Sequence, residues 1–314
     1  MSPARPLVSV VIPVFNGAPF VPNAVASVRR QTVSAVEIIA VDDGSTDGSQ
    51  DVLSALEKTH GITWFQEAHG GPACSRNKGI AAACGDYVAL LDCDDVWLPE
   101  KLEAQLDVMR RHSGMGVVHT DYEVVDDRGH VLERVHAGRS PEPLVQAFVG
   151  GHAALPSTLL MRRDVLEKVG ALRPELYGSE DSDLTLRLYA VTQFGWIDRV
   201  LVRKLQRGHG YRDMAFDEAT HKDKILVSRE RFLKSLEAHR PLTRSQRKAL
   251  DREWANYFLL KGRAAQQRGQ QAEARVLYGQ AIKKAPLRLR SYTRLMRTFL
   301  SRAAGPAEGA SDRE

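Results

Sequence analysis

The first hundred residues alternate short runs of β-branched residues with segments of helical periodicity, and this alternation constrains the fold more than any other feature of the sequence. Four runs predict strands, at 7–14, 36–41, 62–66 and 87–91. Apolar residues at helical spacing predict helices between them, near 20–28, 52–56 and 75–83. This order is typical of an α/β fold with a mainly parallel sheet covered on both faces. Such sheets bind ligands beyond the carboxyl ends of their strands, so the site is expected there.

The pattern changes in the second hundred residues. After a predicted helix at 99–109, a hairpin, an apolar run, a helix and a last strand are expected, at 117–125 with 130–135, 157–161, 181–190 and 196–202. These elements make the sheet mixed. From about residue 211 the strand patterns stop, and the chain becomes helical and basic. We therefore expect four parts: a tail at 1–6, an α/β domain at 7–210, a basic helical region at 211–304 and a disordered tail at 305–314.

The charge is divided unevenly along the chain. Residues 1–203 carry 19 Lys and Arg against 27 Asp and Glu, a net −8, whereas residues 204–314 carry 25 against 12, a net +13. The basic C-terminal third could contact anionic lipid, nucleic acid or an acidic protein, and an oligomer is compatible with it. A solvated helical surface explains the same charge, and charge alone does not choose among these partners. We expect no nucleic-acid partner.

The sequence has no signal of export or of membrane insertion. No run approaches the roughly 18 apolar residues of a membrane-spanning helix, and residues 1–6 lead directly into a strand. Cys74, Cys84 and Cys93 have neither the spacing of a zinc site nor that of a disulfide framework. These observations predict a cytoplasmic protein with reduced thiols, peripheral at the inner face of the membrane if its basic region binds lipid.

Three carboxylates follow the fourth predicted strand, where the sheet is expected to bind its ligand. Asp92, Asp94 and Asp95 repel one another, and a hard cation such as Mg²⁺ or Mn²⁺ compensates this repulsion. Such an ion leaves coordination positions for diphosphate oxygens and water. The alternative is an acidic turn that only caps the following helix, but capping requires one acid rather than three. The spacing therefore favours a metal site.

Other side chains are expected at the same edge. The loop 42–49 has the Gly, Ser and Asp residues of a tight turn and a helix start, and the carboxylate of Asp43 could also accept a hydrogen bond from a base. Arg76 lies in the first turn of a helix and could contact a phosphate or a base carbonyl, whereas Phe15 could stack on a base. A surface cation and a core aromatic residue are the competing interpretations. The loop lacks the Lys of a GxxxxGK[ST] phosphate loop.

Four segments together resemble glycosyltransferase family 2, whose members have the GT-A fold. They are VSVVIPVFN at 8–16, VDDGSTD at 41–47, SRNKG at 75–79 and LLDCDD at 90–95. With the later motifs, the resemblance covers about residues 7–210, with a donor half at about 7–110 and an acceptor half at about 111–210. It implies a nucleotide-sugar donor and a divalent metal. It further implies that the base pocket is formed by Pro13, Phe15, Asp43 and Arg76. Asp94 would contact the ribose or the metal, and Asp95 would be the principal metal ligand.

In the acceptor half, the segment GSEDSDL at 178–184 resembles the acidic pair that opens a helix in this family. The resemblance makes Asp181, beside Glu180, the candidate general base. A sugar hydroxyl is a poor nucleophile at neutral pH, so a carboxylate must take its proton. One displacement at the anomeric carbon then inverts its configuration. The alternative is that these acids only complement the helix dipole.

The resemblance also places His209, which follows the last strand, near the metal or the diphosphate. Arg203, Lys204 and Arg207 depart from the aromatic-rich version of this segment, so a basic lid over the diphosphate is an equal alternative. In the helical region, the residues between Phe258 and Pro286 resemble one tetratricopeptide-type helix pair, and an ordinary helical hairpin is the competing interpretation.

These features predict an inverting, metal-dependent glycosyltransferase. Its donor would be a nucleoside-diphosphate sugar, with uridine favoured, and its acceptor a carbohydrate or lipid-linked molecule. The alternative is a noncatalytic platform that has a nucleotide-sugar fold and recruits a partner through its C-terminal helices. The intact Asp94, Asp95 and Asp181 favour the enzyme.

Overall fold

The computed structural model describes residues 6–138, 155–206, 218–239, 243–287 and 289–300. The chain forms two compact units, Met1–Ser228 and Arg229–Glu314. The first unit contains the sheet and the second is helical. The domain boundary expected at 210 stays a prediction. His209 and the tail at 305–314 lie outside the described residues, and so does most of the segment between 136 and 155.

The first unit is built on a nine-stranded mixed sheet with the order β3-β2-β1-β4-β8-β6-β9-β5, and β7 pairs with β6. The strands are β1 Val8–Val14, β2 Val36–Asp42, β3 Thr63–Gln66, β4 Tyr87–Leu90, β5 Val96–Trp97, β6 Met115–Val125, β7 Val131–Val135, β8 Leu160–Arg162 and β9 Gln193–Leu205. β1 pairs in parallel with β2 and β4, β2 with β3, and β6 with β9. The carboxyl ends of β1, β2 and β4 therefore meet at one edge, as the βαβ order predicts.

Six helices of the first unit cover the two faces of the sheet. They are α1 Val21–Arg29, α2 Ser49–His60, α3 Pro72–Ala82, α4 Lys101–Arg111, α5 Arg163–Val169 and α6 Glu180–Tyr189. The apolar stripes of α1, α2 and α4 pack with Val10 and Ile12 on one face. α3, α5 and α6 pack with Val11 on the other face. β1 is buried along its whole length because apolar side chains alternate to two covered faces.

β1 to β4, β6, β7 and three of the five predicted helices lie within two residues of their predicted bounds, whereas β9 extends three residues beyond each predicted end. Two other kinds of element also differ. The apolar run 157–161 is a strand only in its last part, because a 3₁₀ turn, Pro156–Thr158, precedes β8. β5 and α5 are not predicted, since two and seven residues are too short for a periodicity to be read. The α/β fold with a mixed sheet is confirmed.

The second unit consists of helices. They are the end of α7 Glu218–His239, then α8 Arg244–Gln267, α9 Gln271–Lys284 and α10 Leu289–Leu300. α8 and α9 turn at Gly269, which has a φ of 78°. A Cβ at Gly262 would lie 2.6 Å from the Tyr278 ring, so the glycine permits close packing of the two helices. This is the packing expected of the helix pair predicted for this region. Within the described part of the chain, no helix has the length and apolar character needed to cross a membrane.

Candidate active site

The loop after β2 holds the end of β1 in place. Ser45 Oγ accepts a hydrogen bond from the Asn16 amide at 2.9 Å, and Ser49 Oγ accepts one from the Gly17 amide at 3.0 Å. Asp47 binds the Ala18 amide at 3.0 Å. Asn16 has a φ of 47°, a conformation that Asn tolerates better than most residues. Ser45, Asp47 and Ser49 are therefore structural, and they fix the backbone that follows Phe15.

Asp43 organises the next loop of the edge. Its side chain is only 1 % exposed, and its two carboxylate oxygens accept hydrogen bonds from the amides of Gly70 and Gly71 at 2.9 and 3.0 Å. His69 Nδ1 lies 3.0 Å from the same carboxylate, and the His69 ring lies 4.4 Å from the ring of Phe15. Pro13, two residues before Phe15, is also buried. Three of the residues implied for the base pocket, Pro13, Phe15 and Asp43, thus shape the edge at which α3 begins.

Arg76 joins the two halves of the site. Its guanidinium is 4 % exposed, and it donates to Asp92 Oδ1 at 2.6 Å and to Asp181 Oδ1 at 2.9 Å. Glu180 Oε1 lies 3.8 Å from the same guanidinium. Burial lowers the pKa of Arg76, but Asp181, Asp92 and Glu180 outweigh burial and raise it. The acidic turn after β4, residues 92–95, and the acidic start of α6 therefore meet at one buried cation, although 105 residues separate Arg76 from Asp181.

Asp95 is the most deeply buried acid of the turn, with 0 % exposure. Ser157 Oγ donates to its Oδ2 at 2.5 Å, and among the described residues Oδ1 has no hydrogen-bond partner. Burial raises the pKa of Asp95 to about 7; Lys204 and the Ser157 hydrogen bond lower it, while Asp92 and Asp94 raise it further. A buried carboxylate oxygen without a partner is costly unless a ligand completes it.

This environment fits a divalent cation. Ser157 also accepts a hydrogen bond from the Asp92 amide at 3.1 Å, so one hydroxyl orients both ends of the turn. Within the described part of the chain, the acidic turn does not bring three ligand atoms within 4.8 Å of one another. Mg²⁺ and Mn²⁺ sites of this kind use one or two carboxylates, and phosphate oxygens and water complete them. Asp95, with the half-buried Asp94 beside it, would hold the ion.

Two residues near the acidic turn make interactions that the sequence does not predict. Ser157 is completely buried and belongs to the 3₁₀ turn before β8, which sequence periodicity does not reveal. The sequence offers Lys204 only as part of a basic lid over the diphosphate, whereas the structure places it on β9, where it interacts electrostatically with all three aspartates of the turn. The sequence alone does not show that this lysine of the last strand faces the acidic turn, because a count of charges treats it like any lysine of the surface.

Among the described residues, one group, away from the acidic turn, brings three possible metal ligands within 4.8 Å of one another: Asp121, His136 and Asp198. The buried Asp121 is already satisfied by protein donors. Trp196 Nε1 and the Ala137 amide donate to its Oδ1, both at 2.8 Å, and His136 Nδ1 lies 2.8 Å from its Oδ2. The hydrogen bonds explain this cluster without an ion.

Comparisons with known sequences agree with the geometry. Residues 9–170 match the family described as Glycosyl transferase family 2. An uncharacterized glycosyltransferase of Rickettsia felis is 40% identical over 195 residues, which are 62% of this chain and 32% of that protein. The putative teichuronic acid biosynthesis glycosyltransferase TuaG of Bacillus subtilis is 39% identical over 141 residues, 43% of this chain and 55% of TuaG. The chain spans 32% to 63% of the length of the first four curated relatives.

Solved structures share the fold. S. aureus TarS 1-349 in complex with UDP-GlcNAc has a TM-score of 0.57 at 17% identity, and the match covers 94% of this chain and 91% of that one. The mannosyltransferase PcManGT from Pyrobaculum calidifontis, in complex with GDP-Man and Mn²⁺, has a TM-score of 0.58 at 17% identity and covers 96% and 82%. The GT-A fold expected from the sequence is confirmed by these likenesses.

Proposed function

Because the chain belongs to glycosyl transferase family 2, we propose that it is an inverting, metal-dependent enzyme that moves a sugar from a nucleoside diphosphate to a carbohydrate or lipid-linked acceptor. The observation that carries this proposal is the double ion pair of Arg76. It brings Asp92 of the acidic turn and Asp181 of α6 to the same guanidinium. A donor-binding group and a proton acceptor must lie this close for a single displacement.

The donor would bind at the carboxyl edge of the sheet. Phe15, Asp43 and the loop at 69–71 would form the base pocket, with Arg76 behind them. Asp95 and Asp94 would hold Mn²⁺ or Mg²⁺, which stabilises the departing diphosphate when it is bound. Asp95 suits this role because its buried Oδ1 lacks a hydrogen-bond partner among the described residues.

Asp181 would act as the general base. Its side chain is 37 % exposed, so an acceptor hydroxyl can approach it from solvent, whereas the neighbouring Glu180 is 5 % exposed. The ion pair with Arg76 fixes the position of the carboxylate. Asp181 would take the proton as the hydroxyl oxygen attacks the anomeric carbon and the diphosphate leaves from the opposite face. Glu180, at the start of the same helix, would help to hold this geometry through its contact with Arg76.

Uridine stays the favoured nucleotide of the donor. TarS was solved with UDP-GlcNAc and PcManGT with GDP-Man, so this fold accommodates either nucleotide. The likeness to TuaG favours an acceptor of the cell-envelope polysaccharide class. Such donors and acceptors meet in the cytoplasm or at the inner face of the membrane. The basic C-terminal region, with its net +13, would provide a peripheral contact there.

A donor screen tests the proposal. The full chain would be incubated with a panel of uridine, guanosine and thymidine diphosphate sugars and Mn²⁺, and release of the nucleoside diphosphate would be measured. We expect one donor class to be turned over, and EDTA to reduce its turnover at least about a hundredfold. Proton NMR of the product would show an inverted anomeric configuration.

Matched variants separate the two roles. Asp95→Ala is expected to lose both metal-dependent donor binding and turnover. Asp181→Asn should keep donor binding and lose transfer by about a hundredfold or more. Lys168→Met, at an exposed position of α5, is the control and should resemble the wild type. Full transfer activity in folded Asp95→Ala and Asp181→Asn proteins would contradict these assignments.

A further inference from the structure

Lys204 lies opposite the principal acid of the site. β5 and β9 are antiparallel, with Val96 paired to Arg203 and Trp97 to Val202. Continuing this register by one residue places Lys204 directly across from Asp95. On its other side, Lys204 is paired with Val124 of β6, so the strand that carries it is held from both sides. The side chain is largely removed from solvent, although its neighbour Arg203 is exposed.

The charges around Lys204 are those of the acidic turn. Burial lowers the pKa of Lys204, but Asp95, Asp92 and Asp94 outweigh it and raise the pKa. Burial raises the pKa of Asp95, and Lys204 in turn offsets part of this rise. Arg76, the other cation described near the turn, is committed to Asp92 and Asp181 through short hydrogen bonds. Lys204 is therefore the cation that balances the deepest carboxylate of the turn.

A lysine differs from an arginine at such a place. Its ammonium is a compact charge on a flexible four-carbon chain, and it donates in any direction rather than in a planar fork. It can turn from a carboxylate to a phosphate oxygen without any movement of the strand. A diphosphate bound against Asp95 would meet such a side chain, which already interacts electrostatically with that carboxylate.

We propose, on the basis of the proposed function, that Lys204 is a resident cation of the donor site, which balances Asp95 in the free enzyme and contacts the donor diphosphate in the complex. Lys204 then competes with the divalent ion for Asp95 as long as no nucleotide is bound. When a diphosphate arrives, the ammonium turns toward it, and Asp95 becomes available to the metal. Metal and nucleotide therefore strengthen each other's binding through this lysine.

Calorimetry on the full chain tests this role without relying on turnover. Mn²⁺ would be titrated into the protein without nucleotide, and UDP, with GDP in parallel, into the protein in EDTA. In Lys204→Met we expect Mn²⁺ alone to bind about tenfold more tightly, and the nucleoside diphosphate in EDTA about tenfold more weakly, within the range usual for coupled sites. Lys204→Arg keeps the charge and should retain the weak Mn²⁺ binding of the wild type. Lys168→Met is the control for a change of net charge alone.

The outcomes are separable from those of the donor screen. Unchanged affinities for both Mn²⁺ and the nucleotide in Lys204→Met, in a protein that still turns over its donor, overturn the role of Lys204 and leave the proposed function standing. Tighter Mn²⁺ binding in both Lys204→Met and Lys168→Met would show a nonspecific charge effect and also overturn it. Lys204→Gln serves as a second neutral variant, and near-UV circular dichroism verifies the fold of each protein.

Discussion

Replacing Asp95 by Asn is expected to stabilise the metal-free protein at alkaline pH. Asp95 is completely buried, and burial raises its pKa to about 7, against an ordinary value of 3.8. Between these two pH values the native protein binds a proton at Asp95 that the unfolded chain has already released. The free energy of unfolding therefore falls as the pH rises toward 7. An Asn at this position does not ionise and can still accept the Ser157 hydrogen bond.

The magnitude follows from the difference in pKa. Each pKa unit corresponds to about 1.4 kcal/mol, so a native pKa near 7 makes the free energy of unfolding fall by about 2 to 3 kcal/mol between pH 5 and pH 8 through Asp95 alone. The other ionisable groups are the same in the wild type and in the variant. The difference between the two proteins thus isolates Asp95. We expect the variant to be more stable than the wild type at pH 8 by about 2 kcal/mol.

Urea unfolding in EDTA at pH 5 and pH 8 measures this difference. Tryptophan fluorescence reports on the first unit, because Trp64, Trp97 and Trp196 belong to it and only Trp254 belongs to the second. Asp164→Asn is the control, since the hydrogen bond from Arg162 lowers the pKa of this exposed carboxylate. Asp164→Asn should therefore show the same fall in the free energy of unfolding between pH 5 and pH 8 as the wild type. An identical fall between pH 5 and pH 8 in the wild type and Asp95→Asn would refute the reasoning.

Three further substitutions test the packing and the base pocket. Gly79→Ala would place a Cβ 2.3 Å from Val11 Cγ1 and should lower the free energy of unfolding by about 1 to 3 kcal/mol. In Gly279→Ala, the new Cβ on α9 meets nothing within 4 Å, so the free energy of unfolding should rise by up to about 1 kcal/mol. Urea unfolding measures both changes. Asp43→Asn replaces a carboxylate oxygen that accepts from Gly70 or Gly71 by a donor, so calorimetry should show nucleotide binding at least about tenfold weaker. Unchanged nucleotide affinity would show that the 69–71 loop does not shape the pocket.

The sequence predicts the elements whose side chains repeat. β1 and β2 are long apolar runs, and α1 shows its buried stripe at helical spacing, so their bounds could be read within a residue or two. β5 has two residues, and the 3₁₀ turn before β8 has three, so neither contains a period. The loss matters for the site, because that 3₁₀ turn carries Ser157, which holds Asp95.

Residue types predict which groups reach the edge of the sheet, but they do not predict which groups pair there. The acidic turn and Asp43 lie at the carboxyl edge as expected, because each follows a parallel strand. That the Asp43 carboxylate binds two amides of the 69–71 loop is a contact over 27 and 28 residues, and no local pattern encodes it. The same limit applies to Lys204, whose partner is decided by the register of β5 against β9.

Arg76 shows why such pairings decide the chemistry. A guanidinium with 4 % exposure would be strongly unfavourable without compensating charge, and Asp92 and Asp181 provide it from two distant parts of the chain. The position of Asp181 is therefore determined by α3 as much as by its own helix. If Asp181 is the base, its placement depends on a cation that belongs to the donor half. The site then works as one charged network rather than as two independent halves.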